Sequence, residues 1–198
     1  MVKAVDLEGL IRKYLDGGDL ERMDALYLLS TTGNREAVAS TLRARYGRSG
    51  AINSVLEDLN TLGFKEDFGI RTEDTNESLS HVVGDFFLRA GLGKVLEAAK
   101  EKANTLSRHS REVLYLISVM WPDPIDTHSL RRSYRLLFGR DLSEKDLARV
   151  LEELIRCYII QYVSLSYLHF PPYLDTLLRE LRAILPRVEV KVSWSEGE

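Results

Sequence analysis

The chain has 198 residues, a formal net charge of −3 and a pI near 5.9, enough length and apolar content for one ordinary domain or two small ones. That balance excludes a polycation that grips nucleic acid indiscriminately, so any nucleic-acid contact must come from a local patch. A single cysteine, Cys157, excludes an internal disulfide and a cysteine-based metal site.

In chain order, residues 1–18 read as an N-terminal helix, charged throughout and without the apolar core of a secretion signal. Leu7, Leu10, Ile11, Tyr14 and Leu15 make one apolar stripe before Gly17-Gly18, a stripe that needs its own module or a second copy of the chain to cover it. Residues 19–75 read as a module. A helix over Leu20–Thr31 leads through "TGN" to a helix over Arg35–Tyr46, which Gly47 stops. Ser49 opens a third helix with Ile52, Val55, Leu56, Leu59 and Leu62 inward, and "GFKEDFGIRT" follows as a hairpin turning near Asp67 to Gly69. Residues 76–106 read as connecting helices broken around Gly91 and Gly93. Residues 107–170 repeat the grammar: a helix over Ser107–Met120, the turn "WPDPIDT", a helix over Thr127–Phe138 stopped by Gly139, and a Ser143-capped helix with Leu147, Val150, Leu151, Leu154 and Ile155 inward. The stretch 157–174 lacks acid and base, but its prolines, tyrosines and β-branched residues predict strands from Cys157 to Leu168 rather than a membrane span. Residues 171–198 complete the chain with an amphipathic helix after Pro171-Pro172 and a tail, "RVEVKVSW", whose alternating valines predict an edge strand.

Three phrases recur in order. "ALYLLS" at 25–30 returns as "VLYLIS" at 113–118, an offset of 88; Tyr46-Gly47-Arg48 returns as Phe138-Gly139-Arg140, an offset of 92; "VLEDL" at 55–59 returns as "VLEEL" at 150–154, an offset of 95. The drift falls between apolar segments, where loops absorb insertions cheaply, so the pattern points to internal duplication. Three helices and a hairpin, written twice, resemble a tandem winged helix-turn-helix protein. The resemblance implies a mainly α fold with small β-hairpins, two tandem winged-helix modules and flanking helices.

Catalytic chemistry is not expected. His81, His109, His128 and His169 have no ligand-like or triad-like company. "AGLGKV" at 90–95 fails as a phosphate loop, since Leu88 and Val95 stand where a glycine and a hydroxyl belong. The carboxylates of "EDL" and "EEL" read as solvated faces. No cofactor or metal is implied, and the expected location is the cytoplasm. A single glutamine and an excess of arginine over lysine, 19 to 8, suit a thermophile.

In many winged helices the third helix enters the major groove. The resemblance therefore implies base contacts from Ser49 and Asn53 in the first module and from Lys145 and Arg149 in the second. Phosphate contacts fall to the second helices: His128, Arg131, Arg132 and Arg135 share one face with Arg140 just after it, no acid lies between Thr127 and Arg140, and Arg43, Arg45 and Arg48 occupy the matching stretch. Double-stranded DNA is then the expected partner of a transcription regulator or chromatin-associated factor. An arginine face that serves only internal ion pairs competes with this reading. A further alternative is a protein-interaction scaffold without nucleic-acid contact, using the uncharged second wing or the C-terminal strand. Symmetric burial of the N-terminal helix or the tail would mark a homodimer.

Overall fold

The computed structural model describes residues 4–63, 83–84, 87–120, 126–164, 167–171, 173–188 and 190. In chain order the elements are α1 (Ala4–Asp16), α2 (Leu20–Thr32), α3 (Arg35–Tyr46), α4 (Ala51–Thr61), a π-helical turn (Phe87–Gly91) running into α5 (Leu92–Ala103), α6 (Arg108–Met120), α7 (Thr127–Phe138), α8 (Glu144–Arg156), β1 (Gln161–Ser164), β2 (Tyr167–His169) and α9 (Leu174–Ile184).

The helix ends follow the local chemistry. Asn34 accepts from the backbone N–H groups of Glu36 and Ala37 at the start of α3, Asp126 from Ser129 at the start of α7, and Ser143 from Asp146 at the start of α8. Gly33, Gly47 and Gly139 close α2, α3 and α7 in the left-handed conformation, with φ of 61°, 75° and 64°, each returning its N–H to a carbonyl of the preceding turn.

Four helices recur, not three. Ala4 and Leu92, Leu20 and Arg108, Arg35 and Thr127, and Ala51 and Glu144 begin matching helices at offsets of 88, 88, 92 and 93. The helix α5, read from sequence as a connector, is thus the counterpart of α1: Leu7, Ile11 and Leu15 correspond to Val95, Ala99 and Ala103, and all six are buried. In the first repeat α2 is central, packed by α1, α3 and α4, which is why Met23 through Leu29 are buried without interruption. In the second repeat α6 packs on α7 and α8. The two repeats join where α3 meets α8 and β1, and α9 returns to lie on α5.

This architecture corrects the fold read from the sequence. Over its described residues the protein is almost entirely helical, and it is not a pair of winged helices with β-hairpin wings. Among the described residues the only strand pairing is one short antiparallel ladder, Gln161 opposite His169 and Ser164 opposite Tyr167, with its register broken in between. The run that predicted strands from Cys157 forms that ladder only from Gln161 onward, and its first four residues are spent otherwise. Cys157 and Ile159 donate back to Glu153 and Leu154 to finish α8, and Tyr158 adopts a positive φ of 62°. Cys157, Tyr158, Ile159, Ile160 and Gln161 are all buried against the first repeat, and the Tyr162 N–H donates to Thr41 Oγ1 of α3. A wing projects into solvent to reach a ligand. Here the same apolar residues fill the seam between the repeats, and hydrophobic burial prevails over strand propensity. The hairpin expected in "GFKEDFGIRT" lies outside the described residues from Phe64 onward, as does most of the valine-rich tail.

Candidate functional site

The centre of the seam is a buried ion pair. Arg45 projects from α3 and Asp24 from α2, both side chains with 0% exposure. Arg45 Nη1 donates to both Asp24 oxygens at 2.9 and 3.0 Å, Nε to the carbonyl of Ile155 at 2.9 Å and Nη2 to that of Ile160 at 3.1 Å. One guanidinium therefore ties two helices of the first repeat to the end of α8 in the second. The Tyr46 hydroxyl lies 3.1 Å from Asp24 and 2.9 Å from the Tyr158 hydroxyl, whose ring stacks 4.6 Å under Arg45. Burial alone would lower the Arg45 pKa, but Asp24 more than reverses it and the net shift is upward. Lys102 stands over the Tyr46 and Tyr158 rings and is shifted down, first by burial and then by Arg45. Burial pushes the Cys157 thiol up to about 11, so the thiolate is scarce and the residue acts as core.

The second repeat holds a carboxylate at the matching place. Glu112 is 88 positions after Asp24, 3% exposed, and accepts from Tyr134, Arg108 and Arg140. Burial raises its pKa, but these three donors reverse the shift and hold it below the ordinary carboxylate value. Glu153, read as solvated, accepts at 2.9 Å from the Ser107 N–H and at 2.6 Å from the Ser110 hydroxyl, capping the start of α6.

The arginines picked out as phosphate contacts are mostly engaged inside the molecule. Arg45 is enclosed in the seam. Arg48 pairs with Glu21 at 2.8 Å and Arg140 with Glu112. Arg131 donates to the Leu142 carbonyl at 2.9 Å and lies 3.8 Å from Glu144; Arg135 lies 3.5 Å from Asp141. Arg149 lies between Asp146 and Glu153 at 3.8 and 4.0 Å. Arg43 is exposed, and among the described residues its guanidinium donates a hydrogen bond to Ser40 Oγ alone, at 3.4 Å. His128, Arg132, Lys145 and Asn53 are exposed, and Ser49 is half-buried. Among the described residues Arg43, Arg132 and Lys145 form no ion pair. The two arginine sets do not share one groove, because Arg45 faces the core.

A different surface is open. An apolar trough of 490 Å³ lies between α6 and α9, floored by Leu114, Tyr115, Val119, Leu178, Leu185 and Val188. Arg111, Arg182 and Arg187 stand around it, and no carboxylate is among the described residues that line it. Sequence reading missed this trough because both helices carry ordinary amphipathic stripes, and only their placement shows which stripe residues are left uncovered. It also missed Asp24 and Glu112, although the signal was there: "DALYLLS" and "EVLYLIS" place an acid at the same point before the same apolar phrase.

Among the described residues no group of histidines, cysteines and carboxylates is arranged to hold a metal ion, and no helix is long and apolar enough to cross a membrane. Comparison of the chain with protein-family models, curated proteins and solved structures finds no match in any of the three.

Proposed function

We propose that the protein is a helical interaction scaffold that works by holding a protein partner, and that its arginines serve mainly to latch its own helices together. The observation that carries this reading is the fate of the arginines. Of the nine arginines and lysines on the sequence-derived contact set, Arg45, Arg48, Arg131, Arg135, Arg140 and Arg149 are each spent on a carboxylate of this chain. A phosphate would have to displace those partners, and Arg45 cannot be freed from Asp24 without opening the seam. The trough between α6 and α9, by contrast, presents apolar surface and unpaired arginines to solvent, the combination that marks protein contacts.

The DNA-binding regulator remains the second reading, supported by the exposed Arg43, Arg132 and Lys145. With three phosphate contacts, log K would fall with log salt at a slope of about −3. Fluorescence anisotropy of a labelled random-sequence duplex over a salt series separates the two. The scaffold predicts no saturable binding even at low salt. Salt-steep binding that is lost in an Arg43/Arg132/Lys145→Glu variant would establish the DNA reading in its place.

A further inference from the structure

The duplication supplies an internal control for the trough. Through the offset of 88, Tyr115 of α6 corresponds to Tyr27 of α2, and the two residues have opposite fates. Tyr27 is 1% exposed, with the Phe87 ring stacked on it at 4.5 Å and 18°, and Tyr173 tilted against it at 6.2 Å. Tyr115 is 38% exposed, its neighbour Val119 is 63% exposed, and no ring covers Tyr115 among the described residues. The first repeat's tyrosine is covered by aromatic side chains from the turn before α5 and from the start of α9. The second has the same tyrosine on the same helix and, among the described residues, no ring over it.

The rim has changed along with the cover. Met23, fully buried in the first repeat, corresponds to Arg111 beside the trough. Arg111, Arg182 and Arg187 make no ion pair among the described residues, and Arg182 reaches only the Ser118 carbonyl at 3.3 Å. That is notable in a chain that pairs most of its other interior and rim arginines. Three cations around an apolar floor, with no carboxylate among the described lining residues, call for a partner that brings both an apolar anchor and negative charge.

We propose that the α6/α9 trough docks an acidic amphipathic peptide segment of another protein, with an aromatic side chain stacking on Tyr115 as Phe87 stacks on Tyr27, and flanking carboxylates meeting Arg111, Arg182 and Arg187. A trough of this size lies within the range of about 300–1,000 Å³ usual for sites that enclose a compact anchor. Tyrosine and arginine are also the residue types that concentrate binding energy at interfaces. This inference rests on the scaffold reading and adds the location and chemistry of its partner.

The test is to pan a displayed library of random peptides against the full chain, then measure the enriched peptides against wild type, Val119→Asp and Arg182→Glu. Both positions are solvent-exposed, and circular dichroism and thermal melting check that the variants stay folded. Enriched peptides should carry net negative charge and an aromatic residue, and their Kd should rise at least tenfold in each variant. Peptides that are neutral or basic, or that bind both variants as tightly as wild type, overturn the trough assignment and leave the scaffold reading standing. A wild-type chain that sediments as a dimer and becomes monomeric on Val119→Asp overturns it too, since the occupant is then a second copy. Failure of the scaffold reading is seen separately, as duplex binding in the salt series.

Discussion

Asp24 and Arg45 have no exposed side-chain surface, and each satisfies the other's charge in a place water does not reach. Such a pair adds little net stability over a well-packed apolar one, but half of it is costly to leave behind. Asp24→Ala strands the guanidinium among carbonyls and tyrosines, and we predict a loss of about 3–5 kcal/mol in urea unfolding. An Asp24→Leu/Arg45→Met double variant should recover most of that loss. A double variant as unstable as the single would mean that the carbonyl bonds of Arg45, not its charge, hold the seam.

Titration at individual residues predicts stability falling at both pH extremes. Glu112 and Glu153 have folded-state pKa values below their ordinary 4.5, so their contribution is full above that value and lost as pH falls through the depressed one. Burial pushes Tyr158 up from 10.0 to about 12, and a raised pKa has the opposite consequence: stability is full below 10.0 and lost between there and about 12. Denaturant midpoints measured against pH should therefore show a plateau with an acid limb below pH 4.5 and an alkaline limb above pH 10.0. The alkaline limb should coincide with tyrosinate absorbance, and a limb that precedes tyrosinate formation would contradict the assignment.

At the scale of elements, the glycines that stop α3 and α7 carry a definite conformational demand. Gly47 and Gly139 have φ of 75° and 64°, where a Cβ is strained, and Gly→Ala at either site should cost about 1 kcal/mol by thermal melting. These stops were legible in the sequence, as were α3 and α7 to the residue, because caps and helical periodicity act over a few neighbours. The role of the residues between the stops was less legible. "RARYGR" offers three arginines of equal appearance, yet Arg43 is exposed, Arg45 is enclosed and Arg48 is paired at the surface. Local pattern cannot separate them, because a partner on α8, 110 residues away, decides. The same limit explains the winged-helix reading. Cys157 to Ile160 have strand-like side chains, but the seam they fill is made by the other repeat. Likewise α5 read as a connector, because its counterpart relation to α1 rests on position and burial, with Val95, Ala99 and Ala103 replacing larger residues.

At the scale of the whole molecule, the repeats share one core. Arg45 bonds across the seam, α3 packs on α8, and α9 returns to α5. Cooperative unfolding follows from such continuity, since neither repeat can open without exposing the other's buried face. Calorimetry should give one transition with calorimetric and van't Hoff enthalpies in agreement, and two resolved transitions would show that the repeats are independent modules.

The proposed scaffold engages Arg45, Arg48, Arg131, Arg135, Arg140 and Arg149 with its own carboxylates and leaves Arg111, Arg182 and Arg187 beside the trough without an ion pair among the described residues. Hydrogen–deuterium exchange of the full chain, alone, with a random-sequence duplex and with a peptide selected by display, tests that claim directly. The account predicts new protection at 111–119 and 178–188 with the peptide, and unchanged exchange over 127–140 with the duplex. Protection over 127–140 on adding duplex, with none at the trough on adding peptide, would contradict it.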